Sequence, residues 1–454
     1  MVRWDRLSSR HWDCATEVGP PYSPRELVNV RIWQIFKRPP AHSLDSMRSG
    51  CTPGVIGASL ETLSGNHGDM AKIVIVQPYV PRYRRPFFDA VMTELRAHGH
   101  HCEVVTGTLN RKRAARGDSV TAAWHKAHRG FSIRIRGRHF RFYSSWRDWV
   151  DADVVIVELA TGSIDTYAAL VAKGKRRVGV WGHVGLQTGQ DSRALRRVET
   201  WQLRRADLVF AYTEAGRERA ISRGSDRDLT MSLDNTVDLS GVRAAIARRA
   251  EAAEPTVYGT LQVRPGKTFV YIGGLDSSKR VDFLAEVMNR LWEADPEVRL
   301  LVGGSGNQAH FLTAAETRGQ VEFLGRIGDD EKAYFAQVGD ALLMPGRVGL
   351  VAAESFVLGL PIITTDWPNH APEFEYLTPG HDCVVTANSV DAYVDRLLDL
   401  IESPDELGRL RANALKRSGW PTLEHMSQTF VRGCLDLVEL NSRRPTARQA
   451  NVPR

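Results

Sequence analysis

Long apolar runs are absent from this 454-residue sequence. A membrane-spanning helix needs about 20 consecutive, largely apolar residues, and no stretch of the chain approaches that length. The amino terminus also lacks the continuous apolar segment that a secretory signal requires. The sequence therefore predicts a cytoplasmic protein and leaves open a peripheral contact with the inner face of a membrane.

Several kinds of binding motif are also missing. The five cysteines are scattered and lack the CxxC spacing of zinc or redox sites, so we expect reduced thiols. No DxD-like pair of acids follows a predicted strand, and we therefore expect no metal site and no obligatory cofactor. The chain has no helix-turn-helix, zinc finger or RNP-type aromatic motif, which argues against nucleic acid as a partner.

Positive charge is concentrated in one segment, although the net charge is only +7. Between Arg82 and Asp148, fifteen lysines and arginines stand against five acids. A basic surface attracts nucleic acid, an anionic membrane or a phosphate-bearing substrate, and charge alone does not distinguish among them. A solvated face without a partner is the remaining interpretation.

The length and the apolar pattern predict two domains, because single cores stop growing beyond roughly 250 to 300 residues. Residues 1–69 have no periodicity and are predicted to be a poorly ordered extension, with Met70 as an alternative start. Strands alternate with helices over 70–250 and again over 266–419, which indicates two doubly wound parallel sheets. The polar segment 247–267 is the predicted linker, 420–441 a final helix, and 442–454 a disordered tail.

The predicted elements define the ends of strands where ligands would bind. Predicted strands are 73–76, 102–106, 154–157, 177–181 and 208–212 in the first domain, and 268–272, 299–302, 321–324, 341–344 and 361–365 in the second. Predicted helices include 85–98, 281–292, 308–317, 330–338 and 352–358. In open parallel sheets ligands bind outside the carboxyl ends of the strands, so two facing sheets can hold two reactants.

The first loop of interest, YIGGLDSSKRVDFL, joins a strand to a helix. Gly273 and Gly274 permit close backbone approach of a ligand. Lys279 and Arg280 stand at the helix start, where the macrodipole favours acids, so two cations there point to a diphosphate. A solvated helix start is the alternative.

Two further glycine loops follow strands of the second domain. The segment VGGSG, with Gly304 and Ser305, is a weak signal because such turns are common in α/β proteins. The segment MPGRVGLVAAESF is more specific, since a helix begins near Leu350 with free N–H groups in its first turn. Glu354, about one turn inside, is predicted to accept hydrogen bonds from a ribose, and a structural salt bridge is the alternative.

Three other loops carry polar side chains. The fourth loop of the second domain contains His370, Glu373, Glu375 and Tyr376, for which an ordinary surface loop is equally acceptable. In the first domain His183 follows a strand and can contact or deprotonate a sugar hydroxyl, or cap its loop. The acceptor-binding candidates, with aromatic packing as the alternative, are Tyr79, Arg82, Tyr83 and Arg84.

Taken in order, eight segments resemble glycosyltransferase family 4, particularly its polysaccharide-biosynthesis members, from Met70 to about Glu439. They are QPYVPRYRRPFF, VWGHVG, AYTEAG, DNTVD, GGLDSSKRVDFL, VGGSG, FLGRI and MPGRVGLVAAESFVLGLPIITTD. The resemblance implies the GT-B fold, two Rossmann-like domains facing across a cleft. It also implies retaining transfer of a sugar from a nucleoside-diphosphate donor to a glycan, lipid-linked or small-molecule acceptor held by the first domain.

The resemblance also assigns residue roles. Lys279 would bind the donor diphosphate, Glu354 the donor ribose, and His183 would lie near the transferred sugar. The donor phosphate or sugar would contact the backbone of Gly349, Leu350 and Val351.

Two positions depart from the family pattern. Of the family's two glutamates separated by seven residues, the first is Gly346 here, and its usual arginine five residues before the lysine is Gly274. Arg280 or Arg347 is the hypothesised replacement cation. These departures keep open a catalytically degenerate scaffold that binds sugar nucleotides, and a sugar-nucleotide epimerase of the same fold is the other alternative.

Overall fold

The computed structural model describes residues 70–107, 120–135, 138–143, 145–185, 192–253 and 256–443. The predictions for residues 1–69 and for most of the tail, 444–454, lie outside these ranges. Within these ranges, strands alternate with helices and form two parallel sheets, so the predicted fold class is confirmed.

The first domain is built on a seven-stranded sheet in the order β3-β2-β1-β6-β7-β8-β9, with every neighbouring pair parallel. Its strands are Lys72–Gln77 (β1), His101–Gly107 (β2), His125–His128 (β3), Val154–Glu158 (β6), Arg177–Gly182 (β7), Leu208–Ala211 (β8) and Thr230–Ser232 (β9). Its helices are Arg85–Ala97 (α1), Trp146–Trp149 (α2), Ile164–Val171 (α3), Arg193–Arg205 (α4), Glu214–Ser222 (α5) and Ser240–Glu251 (α6). A short 3-10 turn, Arg82–Arg84, precedes α1.

A separate antiparallel hairpin is inserted between β3 and α2. Its strands are Phe131–Ile135 (β4) and Arg138–Phe142 (β5). The sequence prediction did not include this hairpin.

The second domain has a six-stranded parallel sheet in the order β12-β11-β10-β13-β14-β15, the 3-2-1-4-5-6 order of dinucleotide-binding folds. Its strands are Thr268–Ile272 (β10), Arg299–Gly303 (β11), Val321–Gly325 (β12), Leu342–Leu343 (β13), Ile362–Thr365 (β14) and Cys383–Thr386 (β15). Its α-helices are Val281–Ala294 (α7), Thr313–Thr317 (α8), Asp329–Val338 (α9), Val351–Leu358 (α10), Val390–Glu402 (α11) and Pro404–Lys416 (α12). Its 3-10 turns are Ser277–Lys279, Ala309–Leu312 and Pro372–Tyr376.

The last helix, Leu423–Ser442 (α13), packs on the first domain. Phe430 stacks on Phe210 with ring centroids 4.5 Å apart and meets Phe87 edge-on at 5.3 Å. Cys434 and Leu437 of the same helix are fully buried in that core. The chain therefore passes between the domains twice, before β10 and again before α13.

Local departures from the predicted elements have simple causes. The predicted linker starts too early, because helix α6 extends to Glu251 through a run of alanine and arginine, which are strong helix formers. The predicted helix 308–317 is divided into the turn Ala309–Leu312 and helix α8. The described cysteines, Cys102, Cys383 and Cys434, form no disulfide.

Candidate active site

The turn Ser277–Lys279, just beyond β10, lies at the centre of the candidate site. Asp276 caps this turn, since its Oδ1 accepts hydrogen bonds from the backbone N–H of Ser278 at 2.9 Å and from its hydroxyl at 2.6 Å. The loop after β13 packs on the same turn: the N–H of Arg347 donates to the carbonyl of Ser278 at 2.9 Å. Lys279 Nζ in turn donates to the carbonyl of Arg347 at 2.5 Å. The sequence-predicted lysine and the predicted phosphate loop therefore meet.

The glycine at position 346 is required by this contact. A Cβ built on Gly346 would lie 2.4 Å from the carbonyl carbon of Lys279 and 2.5 Å from its oxygen. Backbone atoms of Lys279 occupy the space into which the family's first glutamate would project. The departure at 346 is thus coupled to the position of Lys279.

Burial lowers the pKa of Lys279 to about 8, and the nearby Arg347 contributes in the same direction. The carboxylates of Asp276, Glu354 and Glu373 act the opposite way, in favour of the charged ammonium. Lys279 is therefore a desolvated cation surrounded by both signs of charge. A bound diphosphate would add negative charge and favour its protonated form.

Helix α10 presents its amino end near this lysine, and Glu354 lies in its first turn. The carboxylate is 13% exposed and pairs with Lys332 of helix α9, with Nζ and Oε2 2.9 Å apart. The predicted ribose ligand thus has a protein partner that the sequence did not indicate. The buried Oε2 forms no hydrogen bond within the described residues, so Lys332 balances its charge as an ion pair whether or not the carboxylate also binds a ribose.

Glycines let the loops after β10 and β11 lie backbone against backbone. A Cβ on Gly304 would be 1.8 Å from the carbonyl oxygen of Gly273, and Leu275 N–H donates to the carbonyl of Ser305 at 3.1 Å. Gly274 is different, since the closest atom to its hypothetical Cβ is an oxygen of Asp276 at 3.5 Å. Position 274 has room for a side chain, whereas 304 does not.

Arg280 is engaged by the protein. Its backbone is left-handed, with φ 54°, and its guanidinium donates to Asn388 Oδ1 at 2.6 Å and to the carbonyl of Pro345 at 3.3 Å. It also packs over the ring of Phe283 at 4.2 Å and donates to Thr365 Oγ1 at 3.3 Å. These contacts join the loop after β13 to the end of β14. They indicate that Arg280 positions the loop, and its role as a catalytic cation stays a prediction.

His183 immediately follows β7 in the first domain. Burial and the nearby cations Arg219, Arg347 and Arg223 lower its pKa to about 4. Its buried Nδ1 has no hydrogen-bond partner among the described residues. A neutral imidazole at this place can accept a hydrogen bond, whereas its lowered pKa makes it a weak base. Because Arg347 belongs to the second domain, the two domains approach each other here.

Arg84 departs from its predicted role as an acceptor ligand. It is 7% exposed, donates to the carbonyl of Thr236 at 3.2 Å, and also donates to the side-chain oxygen of Asn235. Its guanidinium lies 5.8 Å from the ring centre of Trp181. The hydrogen bonds of Arg84 are thus made within the protein, as a buried guanidinium needs acceptors close by.

The other predicted acceptor residues are more accessible. Tyr83 is 47% exposed, Arg82 is exposed and Tyr79 is half-buried. Tyr83 is also within electrostatic reach of Glu373 of the second domain. These residues border the region in which the two domains approach.

Glu373 lies in the fourth polar loop of the second domain, and the sequence gives no sign of its burial or of its partner. Glu373 is 4% exposed, and its carboxylate accepts a hydrogen bond from Asn235 Nδ2. Burial raises its pKa, whereas Asn235, Arg84 and Arg347 act against that shift. A surface loop would leave these groups solvated, so the surface-loop interpretation is wrong for Glu373. A motif of polar residues cannot by itself reveal such burial.

Two further properties concern cofactors and membranes. In the part of the chain that the structure describes, no group of three or more histidines, cysteines or acids is arranged to hold a metal ion. Within the same ranges, no helix is both long enough and apolar enough to cross a membrane.

Comparisons with known proteins agree with this geometry. Residues 87–240 match the family model "Glycosyltransferase Family 4", and residues 266–403 match "Glycosyl transferases group 1". No curated protein sequence matches the chain.

Solved structures with a similar fold include HepE from Anabaena in complex with UDP, at 14% identity and a TM-score of 0.55, covering 81% of this chain and 100% of that chain. Sucrose-phosphate synthase from Thermosynechococcus elongatus has 14% identity and a TM-score of 0.56, with 82% and 100% covered. The UDP-GlcNAc 2-epimerase from Neisseria meningitidis, bound to UDP-GlcNAc, has 16% identity and a TM-score of 0.55, with 80% and 100% covered.

At these identities the structural likenesses show the fold, and the family matches show the kind of domain. The matched segments coincide with the two parallel-sheet domains, and the loops that meet around Lys279 lie within the second of them. The chain is a glycosyltransferase of the GT-B type.

Proposed function

We propose that this protein is a retaining glycosyltransferase that moves a sugar from a nucleoside-diphosphate donor to a hydroxyl acceptor. The observation that carries the proposal is the meeting of Lys279 with the loop that leads into helix α10. This arrangement combines a buried ammonium with the free N–H groups of a helix start, a combination suited to a diphosphate. Structures of the same fold hold UDP in HepE and UDP-GlcNAc in the epimerase.

In the proposed reaction, the bond between the anomeric carbon and the donor diphosphate breaks while the acceptor oxygen bonds to that carbon on the same face. The proton of the acceptor hydroxyl passes to an oxygen of the departing diphosphate. Lys279 and the N–H groups at Gly349, Leu350 and Val351 stabilise the negative charge that develops on the diphosphate. The proposal needs no metal, because these groups supply the positive potential.

The remaining groups are assigned by their surroundings. Glu354, fixed by Lys332, accepts hydrogen bonds from the donor ribose. His183, neutral because its pKa is about 4, contacts the transferred sugar or the acceptor hydroxyl. Tyr79, Arg82 and Tyr83 are the proposed acceptor contacts, since they are accessible where the domains approach.

Gly346 bears on the identity of the donor sugar. The family's first glutamate would contact the sugar, and the backbone of Lys279 fills its place here. A glycan, a lipid-linked sugar and a small molecule all fit the proposal as acceptors.

A panel of nucleotides tests the donor site. A ligand that binds only the folded state raises the melting temperature, by an amount set by its concentration and affinity. One of UDP, GDP, dTDP and ADP or their sugars should raise it, and Lys279→Ala should abolish the shift. Lys175→Ala, at an exposed position, is the matched control and should leave the shift unchanged.

Turnover distinguishes the transferase from the other two functions. Incubation of the stabilising sugar nucleotide with glycan, lipid-linked and small-molecule acceptors should give transfer, and Lys279→Ala should reduce it by about 100-fold or more. Conversion of the donor alone to an isomeric sugar nucleotide would favour the epimerase. Tight binding with neither product would favour the scaffold.

A further inference from the structure

The hairpin formed by β4 and β5 exposes an apolar face. Phe131 lies opposite Phe142, and Ile133 lies opposite Phe140. Side chains alternate along a strand, so these four share one face of the hairpin. The rings of Phe131 and Phe142 are 5.2 Å apart, yet Phe131 is 56% exposed and Ile133 44% exposed. We call this set the hairpin face.

The hairpin face is separate from the cores of the protein. None of its four residues belongs to, or packs against, the three hydrophobic cores of the described chain. Single exposed apolar residues are common, but a cluster on one regular face marks an interaction site.

The opposite side of the hairpin fixes it to the first domain. Arg141 donates to both carboxylate oxygens of Glu158 at 3.1 Å, and its N–H donates to the carbonyl of Gly162 at 2.8 Å. The N–H of Tyr143 donates to a carboxylate oxygen of Asp165 at 2.9 Å. Glu158 is the last residue of β6. The hairpin is therefore anchored at the carboxyl edge of the first sheet, where ligands of such sheets bind.

The segment that contains the hairpin is rich in cations. Residues 125–150 contain seven lysines and arginines and one acid, Asp148. That acid lies 2.8 Å from His128 Nε2 and is 15% exposed, so it offsets little of the charge at the surface. Arg129 is exposed, and the exposed Arg147 packs over the ring of Trp146.

We propose that the hairpin face and its flanking cations dock the protein on an anionic lipid membrane. The apolar side chains enter the region between head groups and acyl chains, and the arginines contact the phosphate groups of the lipids. Because the hairpin is anchored beside Glu158, the docked protein holds the carboxyl edge of its first domain near the lipid surface. An acceptor embedded in that membrane would reach this edge from the lipid side.

A membrane suits the hairpin face better than nucleic acid does. Aromatic rings serve both partners, but Ile133 has no aromatic ring on which a base could stack. Its aliphatic side chain gains free energy by leaving water for lipid. Interleaved apolar and basic residues are the pattern of interfacial segments.

Vesicle sedimentation of the full chain tests the apolar part. Wild-type protein should sediment with vesicles of phosphatidylglycerol and phosphatidylcholine, and much less with phosphatidylcholine alone. In the double variant Phe131→Ser with Ile133→Ser, the affinity for these vesicles should fall by about tenfold or more. Val171→Ser with Val257→Ser, at positions 52% and 69% exposed, is the matched control and should bind like wild type.

A second pair of variants tests the charges. Arg129→Glu with Arg147→Glu should lower affinity by about fivefold or more per cation, and added salt should lower wild-type affinity. Arg248→Glu with Arg290→Glu changes the net charge equally, at exposed positions of helices α6 and α7, and should have little effect on vesicle affinity. Melting temperatures of all variants establish that each is folded.

The outcomes decide the proposal without any measurement of turnover. Selective loss of vesicle binding in the hairpin variants supports it, even if the transferase proposal fails. Equal binding by hairpin and control variants overturns it. Binding of duplex or single-stranded nucleic acid, with no binding to anionic vesicles, also overturns it.

Discussion

At the scale of single residues, the protonation state of Lys279 controls the affinity of the proposed donor site for a diphosphate. Its pKa of about 8 means that the ammonium is charged below that pH and loses its charge above it. A diphosphate binds the charged form, so binding above pH 8 requires uptake of a proton. The burial that strengthens the interaction with phosphate also makes it sensitive to pH.

We therefore expect the affinity for a nucleoside diphosphate to change little between pH 7 and 8. Above about pH 8 it should fall by up to tenfold per pH unit, because the neutral amine must be protonated at each binding event. Isothermal titration of UDP, or of whichever nucleotide binds, measures this slope. Lys279→Arg keeps a permanent charge and should remove the slope, and a slope that persists in that variant would assign the titration to another group.

Position 346 offers a test of the contact between the two loops. Gly346→Ala places a methyl group where the backbone of Lys279 lies, so one of the loops must move. We expect a loss of about 1–3 kcal/mol in stability, as for other overpacked sites, together with weaker nucleotide binding.

Gly419→Ala is the control for this substitution, since no atom lies within 4 Å of its hypothetical Cβ and it is outside the proposed donor site. Its melting temperature and nucleotide affinity should remain close to those of wild type. Wild-type nucleotide affinity in Gly346→Ala would mean that the Lys279 turn does not bind the donor.

At the scale of elements, helices α9 and α10 are joined by the pair of Lys332 and Glu354. Both side chains are largely buried, so removal of one leaves a poorly solvated charge. Two roles for Glu354 are compatible with this contact: a ribose ligand, and a salt bridge that only stabilises the fold. Substitution of each partner separates them.

If Glu354 binds ribose, Glu354→Gln should weaken nucleotide binding by about tenfold, because a charge-assisted hydrogen bond is lost. Lys332→Met should lower the melting temperature, but its nucleotide affinity should fall less than that of Glu354→Gln, since the carboxylate remains. Titration and thermal unfolding of both variants measure the two effects. Equal losses of stability with unchanged affinity in both variants would leave Glu354 a purely structural role.

Most elements of this fold are predictable from the sequence, because strands that are buried on both faces read as continuous apolar runs. Strand β10, Thr268–Ile272, is buried throughout and was predicted with its exact bounds. The sequence does not predict strands β3, β9 and β15, since each has three or four residues and lies at an edge of its sheet. The hairpin was missed because its apolar residues alternate with arginines, as in a solvated segment.

The candidate site was predictable only in part. Glycines and a lysine after strands indicate a ligand-binding loop, and this pattern points to Lys279 and its glycine loops as the proposed donor site. Partners that are distant in sequence were not predictable: Lys332 and Asn235 give no local signal of their contacts with Glu354 and Glu373. Burial of Arg84 was equally hidden, because an arginine in an aromatic loop reads the same whether it is exposed or enclosed.

At the scale of the whole molecule, the turn Pro372–Tyr376 links the two domains. Besides the contact of Glu373 with Asn235, the hydroxyl of Tyr376 donates to the carbonyl of Asn235 at 3.0 Å. Glu375 accepts from Arg219 at 2.6 Å. The same Arg219 donates to the carbonyl of Val184, next to His183. A movement of one domain against the other must therefore rearrange contacts beside the proposed acceptor site.

We expect Glu375→Gln to reduce turnover by about tenfold while the affinity for nucleotide stays near that of wild type. The reason is that the donor binds the second domain, whereas transfer needs both domains in register. The pair of Glu375 and Arg219 is about one-third exposed, so its loss should change stability by less than about 1 kcal/mol.

Glu218→Gln is the control, since Glu218 pairs with Arg217 within the first domain at 3.0 Å and is 51% exposed. Steady-state kinetics together with nucleotide titration separate the two quantities, and a parallel loss of nucleotide affinity would place Glu375 in the donor site and refute its role between the domains.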